Sequence, residues 1–148
     1  MNNASSPWIS GSSHQNSRKF KDYYEKRNLI GRGVFGEALT VTRLIDGAIF
    51  VMKKEKIEQN ERRKRKDEVN ALKKCDHPNI VKYIDDFIDG NYSKIIMEYC
   101  SEGDLGAFIR SQQRTLLSSN AVLNWVSDLA SGMYSLKVQR ISHRDLVR

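Results

Sequence analysis

The chain has 148 residues and a net charge of +7, with 39% hydrophobic and 29% charged residues. This suits one ordinary domain or two small lobes, and it excludes wholesale disorder. No apolar run approaches the ~18–20 residues that span a bilayer. The start, MNNASSPWISGSSHQNS, lacks the form of a secretory signal, and two cysteines, Cys75 and Cys100, make neither a disulfide framework nor a metal pattern.

Residues 1–20 are rich in Ser and Asn without periodicity and read as a disordered polar tail. From Tyr23 onward, YEKRNLIGRG leads a short apolar strand into glycines, and EALTVTRLI continues with β-branched residues. Asp46-Gly47 signals a hairpin turn before the strand AIFVMK. Charged residues follow, and a helix is expected from about Gln59 to Lys74, stopping ahead of Pro78. IVKYIDDFID and KIIMEYC are two more strands around DGNYS. Five antiparallel strands and one helix over 21–100 make an α+β lobe.

After SEGD the character becomes helical. DLGAFIRSQQ is a short helix and SSNAVLNWVSDLASGMYSLKVQR a long one, with Ser118 or Ser119 as N-cap. Val122, Trp125, Val126, Leu129, Met133 and Leu136 recur at spacings of three and four, the pattern of a buried stripe. Residues 101–148 therefore read as a hinge and the incomplete start of a helical lobe. Trp125, Val126 and Met133 would be left partly exposed, a surface for aggregation or for a protein partner.

The basic run RRKRK at Arg62–Lys66 could serve nuclear import or nucleic-acid binding. A solvated helix face flanked by Glu61, Asp67 and Glu68 is the favoured reading, and nucleic acid is not an expected partner, because no aromatic-interleaved basic strand supports one.

GRGVFG places Gly31, Gly33 and Gly36 between two strands. A Rossmann fingerprint needs a helix straight after the last glycine, and EALTVTR is β-like instead. A glycine loop between antiparallel strands lets backbone N–H groups approach a triphosphate, since no Cβ intervenes. On the strand AIFVMK, Val51 and Lys53 share a face. Val51 could meet an adenine ring while Lys53 reaches phosphate. A buried lysine needs an anion, and Glu68 on the helix offers one.

LIGRGVFG, Val51-Met52-Lys53, Glu68 ahead of HPNIV, IIMEYCSEGDL and HRDL occur in the order of the eukaryotic protein kinases, which the chain resembles over about 28–148. MEYCSEGDL and EVNALKKCDHPNIVKY are most similar to the NIMA-related serine/threonine kinases. The resemblance implies ATP and magnesium as cofactors and a protein hydroxyl as substrate. It implies that Ile30, Gly31, Gly33, Phe35 and Gly36 cover the nucleotide, that Ala38 and Val51 sandwich adenine, and that Met97 is the gatekeeper. Glu98 and Cys100 would offer backbone hydrogen bonds to the adenine edge, and Asp104 could meet the ribose. Lys53, paired with Glu68, would hold the phosphates, and Asp145 would be the catalytic base. Arg144 would bind a phosphorylated activation segment, and His143 would pack beneath the loop. A cytoplasmic location is expected, with the nucleus or cytoskeleton as alternatives.

Three departures stand out. Val147 occupies the position of a lysine that assists the transferred phosphate, and the fifteen-position step from Lys53 to Glu68 is short for the family. The metal-binding Asn and the D-F-G aspartate fall past Arg148, so no metal ligand is assigned within these residues. Little turnover is expected from this polypeptide alone, because both magnesium ligands contribute to stabilising the transition state. A non-catalytic, pseudokinase-like ATP-binding or scaffold protein is the alternative.

Overall fold

A computed structural model describes residues 18–33, 36–112 and 117–143. A short 3-10 turn, Phe20–Asp22, leads into β1 (Tyr24–Gly33), β2 (Gly36–Arg43) and β3 (Ile49–Lys56). A second 3-10 turn, Gln59–Glu61, runs directly into α1 (Arg62–Lys74), followed by β4 (Tyr83–Asp89) and β5 (Tyr92–Glu98). Helices α2 (Leu105–Ser111) and α3 (Ser119–Val138) complete the order. The five strands form one antiparallel sheet in the order β1-β2-β3-β5-β4. This is the α+β kinase-like architecture expected, with two small differences. The first turn of the expected helix is 3-10, and β4 begins at Tyr83, three residues after Ile80.

Alternation along the strands gives the sheet two chemically distinct faces. On one, Leu39 pairs with Met52, Val41 with Phe50, and Met52 with Ile96. Val41, Met52 and Ile96 are fully buried there, with Tyr24 and Phe87. Phe20 closes this core, stacked on Tyr24 at 5.7 Å and edge-on to Phe87 at 5.8 Å. Packing thus reaches into the stretch that composition assigns to the polar tail. Arg18 reinforces it, giving both guanidinium nitrogens to Asp85 at 3.2 and 2.7 Å.

On the other face Ala38 pairs with Lys53, Thr40 with Val51, and Val51 with Met97. This face carries the candidate site. At its hairpin, Gly47 takes the positive φ of 73° that the Asp46-Gly47 turn requires.

The helical segment is joined to the sheet through the loop after α1. Ser131 Oγ on α3 lies 3.2 Å from His77 Nε2, and the Asn79 N–H donates to the other ring nitrogen at 3.1 Å. Gly132 is buried here, and a Cβ on it would come within 3.0 Å of the Asn79 carbonyl, so a small residue sets how closely α3 approaches. Ser118 is the N-cap of α3, accepting from the Ala121 N–H at 3.2 Å. Past the C-cap Gln139 the chain turns at Arg140, whose φ is 58°, with the Ile141 N–H returning to the Leu136 carbonyl.

The stripe on α3 is only partly buried. Leu136 is buried and Trp125 and Met133 half-buried, whereas Val122, Val126 and Leu129 are exposed. Trp125 owes its partial cover to α2, where Phe108 meets it edge-on at 5.6 Å. Among the described residues no helix is long and apolar enough to cross a membrane.

Candidate functional site

The site grows from the β1–β2 turn and from β3 beneath it. Gly36 has a φ of 146°, and a Cβ on it would sit 2.2 Å from the Lys54 carbonyl oxygen. No side chain fits there. The third glycine is therefore demanded by the chain's own β3 as much as by any ligand. Gly33 differs, with nothing within 4 Å of its notional Cβ, and Gly31 lies in van der Waals contact with Ala38.

Gly33, Gly36, Lys53 and Glu68 border one cavity of about 660 Å³ between the loop, β3 and α1. Lys53 and Glu68 open into the same space as Gly33. Ala38, Val51 and Met97 lie half-buried on the same sheet face in adjoining register, but they do not border that cavity. Ile30, at 52% exposure, lies on the solvated edge strand. Phe35, Arg144, Asp145 and Val147 fall outside the described residues, and His143 is exposed.

Beyond Met97 the backbone turns into the hinge. The Glu98 N–H donates to the Lys82 carbonyl at 3.0 Å, and its side chain accepts from the Lys82 N–H at 2.9 Å. The Cys100 carbonyl takes the Gly103 N–H at 3.2 Å. The Glu98 N–H is therefore already engaged within the chain. Asp104 caps α2, accepting from the Ala107 N–H at 2.7 Å, so one carboxylate oxygen already has a structural duty.

The charged centre departs from the simple lysine–glutamate pair. Lys53 Nζ stands 3.9 Å from Glu68 Oε1 but only 2.7 Å from Glu55 Oε1. Glu55 also engages the Arg65 guanidinium, and Arg65 Nη1 donates to Glu68 Oε2 at 2.5 Å. Glu55 and Arg65 are both buried, at 7% and 8% exposure. The basic run is therefore not a uniformly solvated face, because Arg65 turns inward. Burial pushes the Lys53 ammonium below its ordinary pKa; Glu68 opposes this and Arg65 adds to it. Sequence reasoning missed Glu55 and Arg65. Spacing permits the pairs, since Glu55 is two residues from Lys53 on a strand and Arg65 one turn before Glu68 on a helix, but nothing local signals that both are buried.

Gly33 and Gly36 thus share a cavity with a lysine held between two carboxylates. Residues 24–147 match the protein kinase domain family. The chain belongs to the protein kinase family. It is 37% identical over 130 residues to the probable serine/threonine-protein kinase nek3 of Dictyostelium discoideum, covering 84% of this chain and 12% of that protein. It is 34% identical over 125 residues to the serine/threonine-protein kinase Nek3 of Mus musculus, covering 84% of this chain and 24% of that protein. Against the serine/threonine-protein kinase Nek5 of Homo sapiens the figures are 34% over 128 residues, 84% and 18%. The similarity is to NIMA-related serine/threonine kinases, and the chain spans between 12% and 24% of the length of these three relatives.

Protein kinases in general use ATP and magnesium and act on protein substrates. The cavity fits the phosphate end of such a nucleotide, since Lys53 shares it with Gly33 and Gly36. For magnesium, no group of three His, Cys, Asp or Glu side chains clusters among the described residues.

Proposed function

We propose that this chain carries the nucleotide-binding half of a serine/threonine protein kinase domain, residues 21–100 forming the sheet lobe and 101–148 the hinge and start of the helical lobe. ATP would lie with its phosphates under Gly31, Gly33 and Gly36 and against Lys53. Its adenine would lie between Ala38 and Val51, with Met97 behind it and the Glu98 carbonyl and Cys100 N–H at its edge. Phe35 at the loop tip, Ile30 above the ring and the free oxygen of Asp104 at the ribose complete the contacts. The observation that carries this reading is the single cavity bordered by Gly33, Gly36, Lys53 and Glu68. Bound ATP supplies the phosphoryl group, and the chain's own residues bind and orient it. Asp145 would accept the proton of a protein hydroxyl.

The second reading is a scaffold whose helical surface takes a protein partner, supported by Leu123, Val126, Leu129 and Tyr134, each more than half exposed. Both free cysteines, Cys75 and Cys100, suit a cytoplasmic location, with the nucleus and cytoskeleton as alternatives.

Calorimetric titration with ATP tests the first reading. The wild-type chain should bind, and Lys53→Met should weaken ATP at least about tenfold, the change produced by ~1.4 kcal/mol, while leaving adenosine binding in place. Equal loss of both ligands, or of neither, would contradict the placement of phosphate at Lys53.

A further inference from the structure

Lys53 has a nearer anion than Glu68, and that anion is almost entirely enclosed. The Glu55 side chain is 8% exposed and lies on the same face of β3 as Lys53. One of its oxygens takes the Lys53 ammonium and the other takes Arg65, whose side chain is 9% exposed. Arg65 in turn holds one oxygen of Glu68, and the other faces Lys53 at 3.9 Å. The four groups close a ring of alternating charge, two from β3 and two from α1.

The chain's own path explains why the ring forms. Only Ile57 and Glu58 separate β3 from the 3-10 turn that opens into α1. This short step places Arg65 over the end of β3. A guanidinium has five donors in a planar fork and can serve two carboxylates at once, as an ammonium cannot do with the same geometry. A buried carboxylate without a partner would carry a heavy desolvation penalty. Glu55 keeps Arg65 whether or not Lys53 stays.

We propose that Glu55 is an internal competitor for Lys53, displaced from it by the phosphates of the incoming nucleotide, and that Arg65 is the positioning residue that retains Glu55 and aims Glu68 during the exchange. The proposal rests on the nucleotide-cleft reading and adds what sets the cleft's affinity for a phosphate chain. Lys53 leaves Glu55 for phosphate oxygen, no covalent bond changes, and Glu55 remains neutralised by Arg65. Without Arg65, Glu55 and Glu68 would both depend on Lys53, and phosphate would have to compete with two carboxylates.

The test compares ATP and adenosine binding, measured calorimetrically on the full 148-residue chain. Glu55→Gln, which keeps size and one acceptor oxygen for Arg65 while removing the negative charge, should tighten ATP about tenfold, equivalent to ~1.4 kcal/mol, with adenosine unchanged. Arg65→Met should weaken ATP by a similar factor, again sparing adenosine, and Arg65→Lys should restore little. A merely structural role for either residue would move both ligands together, leaving the ATP-to-adenosine ratio constant. If wild type binds both ligands and Glu55→Gln leaves ATP unchanged or weaker, the competitor role is overturned while the cleft reading stands. If wild type binds neither ligand, the cleft reading fails and the proposal with it. Should Arg65→Met not fold, the Glu55→Gln arm decides alone.

Discussion

The sheet lobe and the helical segment treat apolar residues differently. In the sheet, Val41, Met52 and Ile96 are sealed at 0% exposure between paired strands and the aromatic cluster of Phe20, Tyr24 and Phe87. On α3, Leu123 is 64% exposed, and Val126 and Leu129 are 58% exposed each. Both regions carry the pattern of burial in their sequence, at a period of two in one and of three to four in the other. The difference teaches that periodicity tells which face of an element wants cover, and only the fold tells what covers it. For the sheet the cover is within the described residues; for most of α3 it is not.

The sharpest way to break this contrast is to truncate a sealed side chain of the sheet. Met52→Ala should destabilise the chain by about 3 kcal/mol, because a fully buried side chain leaves a cavity that the strands cannot close. Denaturant unfolding would read this as a lower midpoint at unchanged slope. Removing a helix cap comes next. Asp104→Ala or Ser118→Ala should each cost about 1 kcal/mol, since each leaves a helix N–H without its acceptor.

Acid sensitivity should also follow the sheet. Asp89 is held below its usual carboxylate pKa of 3.8 by its hydrogen bond from Lys94, an ammonium enclosed beneath the Phe20 ring. A carboxylate depressed in the folded state contributes stability above its unfolded pKa, and that contribution is lost as pH falls through the lower folded value. Asp89→Asn should therefore flatten the loss of stability below about pH 4, measured as thermal midpoint against pH. A wild-type slope retained in the variant would place the acid sensitivity elsewhere.

The smallest effect is expected on α3. Leu129→Gln should change stability by no more than about 0.5 kcal/mol while reducing self-association in light scattering. A loss comparable to that of Met52→Ala would show that α3 is already covered in solution.

Much of the fold was legible because strand alternation and turn chemistry agree along the first hundred residues. Asp46-Gly47, Pro78 and the Ser118 cap each marked a boundary by a local mechanism. Of the candidate site, Gly33, Gly36, Lys53 and Glu68 border one cavity. Its charge pairing was not legible. Glu55 lies in a run of alternating Lys and Glu that looks solvated, and its burial comes from how α1 crosses β3, a tertiary event without a local signature. The same crossing turns Arg65 inward from a run otherwise suited to solvent. Gly36 is similar: its place in a glycine-rich turn was readable, but the close approach of the Lys54 carbonyl was not.

The central claim is that a strand-borne ammonium, released from a neighbouring carboxylate, meets nucleotide phosphate. The most direct measurement is NMR of the Lys53 side-chain ammonium during titration with ATP and, separately, adenosine. ATP should shift the Lys53 resonance and adenosine should not, with the Glu55 carboxyl signal moving in step. A Lys53 resonance indifferent to ATP, in a chain that demonstrably binds it, would contradict the claim.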